Sequence, residues 1–471
     1  MQKLNNEIQL RISDYKLNFI FNNKLKFLFS CFKLLILFII IILLLRNLFL
    51  FPKYYISLNK SFIKIQKNLN KIKYKIKIAI YTTYIGNGGR ARITVLLLNY
   101  LYKIKMFDLY LFTFEKQKSE YTIPIDTKRI IIRHNLLDII NENKIDILIY
   151  QLTNVTEIDK LNNLKNLKVI FYHHSSVLGW IYFSFYYFKL IYKTFKNSKY
   201  VITLVPYEND YLFKKWGIRS ILMNNFMTYE YNSVIPSNLS SKTIIMIGRG
   251  NDKNKRFDIG IKAMKYIIKE IPECELKIIS TLNGIKQLKY LVNILNLKRN
   301  VKFVGYIPNP EKYLKNASLH FFPTICESFG LVLSETKIYG IPSILLGLDY
   351  VSFSKGGTII IYDDKPETLA KEAIKVLKND KYRIKLGREA RNSIKSFNNK
   401  ILLLKWIKLI LSVYKGDYYY DILRNQDKKL PKSVALNILK NQIKLLKMRL
   451  PKFKNITIKE FENFTFLQNL K

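Results

Sequence analysis

From Lys77 onward, apolar runs bounded by turn residues alternate with amphipathic stretches of helical length. KIAIYTTYI (77–85), LYLFTF (109–114), IDILIY (145–150), KVIFYH (168–173) and YVITLV (200–205) read as strands, and ITVLLLNYLYK (93–103) as a helix. A second series begins at Lys242. Its strands are TIIMIGRG (243–250), ELKIIS (275–280), VKFVGYI (301–307), LHFFPT (319–324), IPSILLG (341–347) and TIIIYDD (358–364). Its helices are FDIGIKAMKYIIKEI (257–271), GIKQLKYLVNILNL (284–297), a short one after Glu327, and PETLAKEAIKVLKN (366–379) with Pro366 at an early helical position. Strands written as continuous apolar runs, with helical crossovers between them, imply parallel sheets covered on both faces. The pattern therefore predicts two doubly wound α/β domains in tandem, at 77–240 and 241–397. Their ligand should lie in the cleft between them, off the carboxyl ends of the strands.

The flanks follow other patterns. A basic tail (1–26) leads into the run 27–51, which only Lys33 and Arg46 interrupt and which is long enough to cross a bilayer as an uncleaved helix. Lysine and arginine flank both ends about equally, so neither orientation nor compartment follows. Residues 52–76 read as a lysine-rich stalk, 398–415 as an apolar helix that crosses back to the first domain, and 416–471 as a basic C-terminal extension.

Composition changes this picture little. The chain has 471 residues, 49% of them hydrophobic, and a net charge of +45. Such a field attracts polyanions. The lysines are spread along the whole chain, however, and no zinc-finger spacing or RNA-binding aromatic motif is present, which argues against nucleic acid. Three cysteines without CxxC spacing offer neither a disulfide framework nor a zinc site.

The candidate chemistry begins with PTICESFGLVLSETKIYGIPSI (323–344), where Glu327 and Glu335 stand eight positions apart around an apolar run. Ser328 is placed to cap a helix running from Phe329 to Gly340. The free amides of Phe329, Gly330 and Leu331 would then point at an anion, and Gly330 would let a ligand approach the backbone. Eight residues of helix span about 12 Å, which suits one extended ligand gripped by a carboxylate at either end. In the first domain, Gly86-x-Gly88-x-x-Ala91 reads on its own as a weak dinucleotide fingerprint, with Glu115 as the ribose acid of an NAD-dependent enzyme. His173 and His174 follow a strand end and face the expected cleft; His134 and His320 read as structural.

Glu327, seven residues, Glu335, and then the Gly-Ile-Pro of 340–342 resemble the hallmark of the GT-B-fold retaining glycosyltransferases of family 4, often called group 1. The resemblance covers roughly residues 77–414. It implies two Rossmann-like domains. It also implies transfer of a sugar, with retention, from a UDP- or GDP-linked donor to an acceptor hydroxyl, without a metal or other cofactor; the run 27–51 and its basic flanks point to a lipid-linked or membrane-associated glycan as the acceptor. On the family's pattern Glu327 contacts the sugar hydroxyls, the amides of Phe329, Gly330 and Leu331 the diphosphate, and Glu335 the ribose. Thr336 stands where the family usually has alanine. Gly248, Arg249 and Lys255 resemble its phosphate-binding strand end, where one bidentate cation and one point charge stabilise a departing diphosphate. Gly88, Gly89 and Arg92 resemble its Gly-Gly-x-x-Arg loop near the donor phosphates and the acceptor, and one of His173 and His174 would contact the donor sugar. An inactive scaffold of the same fold is the remaining alternative, against which the intact acids and cations argue.

Overall fold

The computed structural model describes residues 75–416, apart from 87, 118, 153, 177–184 and 349–350, together with residue 447. The apolar run 27–51, its flanks and nearly all of the C-terminal extension lie outside the described residues. Among the described residues no helix is long and apolar enough to cross a membrane.

The first lobe runs β1 (Ile76–Tyr81), α1 (Gly89–Tyr102), β2 (Phe107–Thr113), β3 (Lys128–Ile131), α2 (Leu136–Asn143), β4 (Ile147–Tyr150), α3 (Val155–Asn162), β5 (Lys168–Tyr172), α4 (Phe185–Asn197), β6 (Tyr200–Thr203), α5 (Pro206–Trp216) and β7 (Ile221–Leu222). Its seven strands are all parallel, in the order β3-β2-β1-β4-β5-β6-β7. All four residues of β4 are buried, as a strand covered on both faces must be, and this is what its uninterrupted apolar sequence encodes.

The second lobe repeats the theme with β8 (Thr243–Gly248), α6 (Phe257–Glu270), β9 (Glu275–Ser280), α7 (Lys286–Ile294), β10 (Val301–Phe303), α8 (Glu311–Leu314), β11 (Leu319–Phe322), α9 (Leu331–Ile338), β12 (Ser343–Leu346), β13 (Thr358–Ile361), α10 (Pro366–Lys378) and α11 (Asp380–Ile394). These six strands are also parallel, in the order β10-β9-β8-β11-β12-β13. Ile244, Met246, Phe257, Ile261, Met264, Leu369 and Ala373 share one core, which joins α6 and α10 to the sheet.

In each sheet the chain reverses its direction of travel beside the first strand, between β1 and β4 and again between β8 and β11. The loops on either side of such a switch point diverge and leave a crevice at the carboxyl end of the sheet. The edge strands β3 and β7 and the helices α2, α3, α4, α5, α8 and α11 were not legible in the apolar pattern. β3 has no fully buried residue and β7 is two residues long, so neither has an apolar run to reveal it.

The last helix, α12 (Asn399–Lys415), returns to the first lobe. Its Trp406 ring lies edge-on to Tyr172 at 5.3 Å. The Asn399 side chain accepts from the Met227 amide at 2.7 Å and donates to the Met227 carbonyl, Glu230 and the Tyr100 hydroxyl. The inter-lobe linker and the first lobe are thus held by one buried amide. On the other side, Arg383 donates from Nε to the Leu239 carbonyl and from Nη1 to the Leu377 carbonyl, both at 2.7 Å. It ties the linker to the carboxyl end of α10.

Lys337, inside α9, is fully buried and donates to the carbonyls of Lys355 and Gly356 at 2.7 and 2.5 Å. Burial pushes its ammonium down to about 7. The unfolded chain keeps that proton up to the ordinary value of 10.5, so between these limits the unfolded state binds more protons and folding stability rises with pH. One group contributes at most about 1.4 kcal/mol per pH unit. Urea midpoints measured from pH 6.5 to 10 should therefore increase, and Lys337→Met should flatten that increase. An identical slope in the variant would contradict the assignment.

Candidate functional site

A cleft of about 450 Å³ lies where the carboxyl ends of the two sheets face each other. Gly88, Gly89, Arg92, His173 and His174 line it from the first lobe. Gly248, Arg249, Lys255, Glu327, Phe329, Gly330, Leu331 and Glu335 line it from the second. Every candidate that the family resemblance marked therefore lines one cavity, whereas Gly86 and Glu115 of the dinucleotide reading do not.

On the second lobe, β8 ends at Gly248, where a Cβ would lie 2.9 Å from the Lys255 Cγ. The missing side chain gives the lysine stem its path. Arg249 Nη2 sits 2.9 Å from Asp252 Oδ2, with more than half of the arginine side chain exposed at the mouth of the cleft. Asp252 Oδ1 accepts from the Asn254 amide at 3.0 Å and closes the turn. Asn254 then clamps this loop to the one after β11. Its Nδ2 donates to the Cys326 carbonyl at 2.9 Å, its Oδ1 accepts from the Cys326 amide at 3.0 Å, and its own carbonyl accepts from the Ile325 amide. The two loops come together in the register that sets Lys255 Nζ 2.9 Å from Glu327 Oε2. Burial alone would lower the Lys255 pKa. The charge and hydrogen bond of Glu327, with the charge of Asp252, outweigh that burial and raise it, so the ammonium stays charged.

The helix after Glu327 starts later than its sequence implied, and Ser328 does not cap it. Gly330 takes φ +77°, a left-handed conformation that glycine adopts without strain, and the chain enters α9 there. The free amides at the helix N-terminus belong to Leu331 and the residues after it, not to Phe329. Ser328 Oγ instead donates to the His174 carbonyl of the first lobe at 2.8 Å. The Phe329 ring is buried edge-on against Phe353 at 4.8 Å and anchors the loop from behind. α9 ends at Ile338, two residues short of Gly340.

Glu335 lies inside α9 and is 2% exposed. Its Oε1 accepts from Thr228 Oγ1 at 2.7 Å and from Arg92 Nη1, an ion pair that spans the cleft. Arg92 belongs to the first turn of α1, and its Nε donates to the Tyr121 hydroxyl at 3.2 Å. The Glu335 charge raises the Arg92 pKa. The sequence placed Arg92 near the donor phosphates and the acceptor and Glu335 at the ribose, and gave no sign that they touch.

His173 and His174 are both uncharged at neutral pH. Burial first, then the charge of Arg90, pushes His173 down to about 3, and the same causes with His173 itself hold His174 well below the usual range. Both ring nitrogens of His174 are buried without a hydrogen-bond partner among the described residues. His320 is buried on β11, its Nδ1 3.1 Å from Ser343 Oγ and 3.2 Å from Thr336 Oγ1. The hydroxyl at position 336 is thereby accommodated. Glu115, the acid of the dinucleotide reading, is exposed; its carboxylate accepts from Gln117 at 3.2 Å. It does not line the cleft, so the glycine fingerprint lacks its ribose acid.

Asn254, Asp252, Thr228 and Tyr121 escaped sequence analysis. Asn254 sits in the polar run NDKNK, where nothing local marks it as the partner of a residue 72 positions away.

Two tandem parallel-sheet α/β domains with a polar cleft at their switch points make up the GT-B arrangement. Residues 230–393, less than half of the chain, match the family model of glycosyl transferases group 1. It is 24% identical over 186 residues to the poly(glycerol-phosphate) alpha-glucosyltransferase of Bacillus subtilis strain 168, a stretch that covers 39% of this chain and 26% of that protein. The match thus spans about a quarter of that relative's length. Among solved structures, sucrose-phosphate synthase from Thermosynechococcus elongatus superposes with a TM-score of 0.62 at 17% identity over 72% of this chain and 100% of that one. Anabaena HepE in complex with UDP and glucose superposes with a TM-score of 0.58 at 14% identity, over 72% of this chain and 99% of that one.

Proposed function

We propose that the protein is a membrane-anchored, retaining glycosyltransferase that moves a sugar from a nucleoside diphosphate donor to an acceptor hydroxyl. The observation that carries this reading is the meeting, in one cleft, of the Lys255–Glu327 pair, Arg249, buried Glu335 and the N-terminus of α9. Glu327 accepts hydrogen bonds from the donor sugar. Lys255, Arg249 and the first amides of α9 face the diphosphate, whose charge grows as the glycosidic bond breaks. Gly248 and the Gly88–Gly89 turn leave it room, and Glu335 takes the ribose. A neutral His173 or His174 is suited to hydrogen-bond a sugar hydroxyl without adding charge. The leaving diphosphate departs on the face the acceptor attacks, with its charge neutralised by these side chains and dipoles.

The run 27–51 serves as the anchor and keeps the site close to a lipid-linked or membrane-associated acceptor. A polyol-phosphate chain, the substrate in the name of the Bacillus subtilis relative, is the first acceptor to try. The full-length protein in detergent should release nucleoside diphosphate from one member of a panel of UDP- and GDP-sugars, faster with acceptor present. The anomeric proton coupling of the product should match that of the donor. An inverted product would remove the retaining assignment, and a panel with no turnover would remove the enzyme reading.

A further inference from the structure

Two donors of the Arg92 guanidinium are already engaged, Nε with the Tyr121 hydroxyl and Nη1 with Glu335 Oε1. Glu335 needs such a partner, because a carboxylate 2% exposed inside a helix has lost almost all of its water. Both donors, Arg92 and Thr228, fall on Oε1, and that leaves Oε2 for a ligand in the cleft that Glu335 lines. An arginine that released Glu335 to bind phosphate would strand this buried charge, whereas the phosphates already have Lys255, Arg249 and a helix N-terminus.

We propose that Arg92 is a positioning residue for the nucleoside end of the donor site, reaching across from the first lobe to orient Glu335 so that its second oxygen meets the ribose hydroxyls. The proposal rests on the glycosyltransferase reading. It also makes the nucleoside site a property of the closed molecule: among the described residues Arg92 is the only cation paired with Glu335, so donor binding and lobe closure favour each other.

The test is a ratio of inhibition constants, which does not depend on what fraction of a variant is folded. UDP and GDP are first compared as inhibitors of the full-length protein, and the tighter one is then compared with its 2′,3′-dideoxy analogue. Loss of hydrogen bonds to a charged group should weaken the wild-type interaction by about tenfold or more. In Arg92→Met the ratio should fall to within about threefold, with Arg92→Lys recovering part of it and Thr228→Val losing part. Inhibition by inorganic pyrophosphate should be unchanged in Arg92→Met. A variant that keeps the ribose ratio but loses pyrophosphate inhibition would make Arg92 a phosphate ligand and overturn the proposal. Failure of both nucleotides to inhibit the wild-type protein would instead overturn the donor reading, and this proposal with it.

Discussion

Lys255→Ala should lower kcat for sugar transfer by about 10²–10³-fold, the loss typical when one preorganised charge that meets a developing anion is removed. The expectation follows from how the lysine is held. Its ammonium is 2.9 Å from Glu327 Oε2, and it enters the cleft along the path that Gly248 leaves open. A cation fixed in this way needs no reorganisation as charge builds on the departing diphosphate. Steady-state release of nucleoside diphosphate measures it. A drop of less than about fivefold would place the diphosphate elsewhere, since a stabiliser of the transition state is felt in kcat.

Glu327→Ala is expected to cost about 10²-fold in kcat, through lost contacts to the sugar and through Lys255. The Glu327 carboxylate and hydrogen bond are what offset burial at Lys255. With the acid gone, burial dominates, the lysine pKa falls, and the alkaline limb of the rate profile moves to lower pH. A pH profile of the variant reads this directly, and an unmoved alkaline limb would mean that the pair does not work as a unit. Because the two groups touch, the double variant should be little worse than the slower single variant.

Much of this arrangement was legible beforehand, for reasons that differ by residue. Arg249, Lys255 and Glu327 stood out because each lies in the turn that follows a strand, and Glu335 because it stands eight residues after Glu327, just before the Gly-Ile-Pro of 340–342. Strands such as β4 and β6 were visible because burial on both faces writes itself as a nearly uninterrupted apolar run. β3 was not, because an edge strand needs no such run. Ser328 looked like a helix cap because the residues after it favour a helix. The left-handed turn at Gly330 moved the helix start and freed the hydroxyl for the opposite lobe.

By itself the sequence determined the two parallel-sheet lobes and the residue types at the mouth of each, since periodicity and motif spacing are fixed along the covalent chain. Only the tertiary structure decided the pairing: Lys255 with Glu327, Asn254 with Cys326, and Arg92 with Glu335 across 243 residues of chain. Such pairs depend on where separate loops are brought together by packing, and a buried charge takes the partner that the fold delivers.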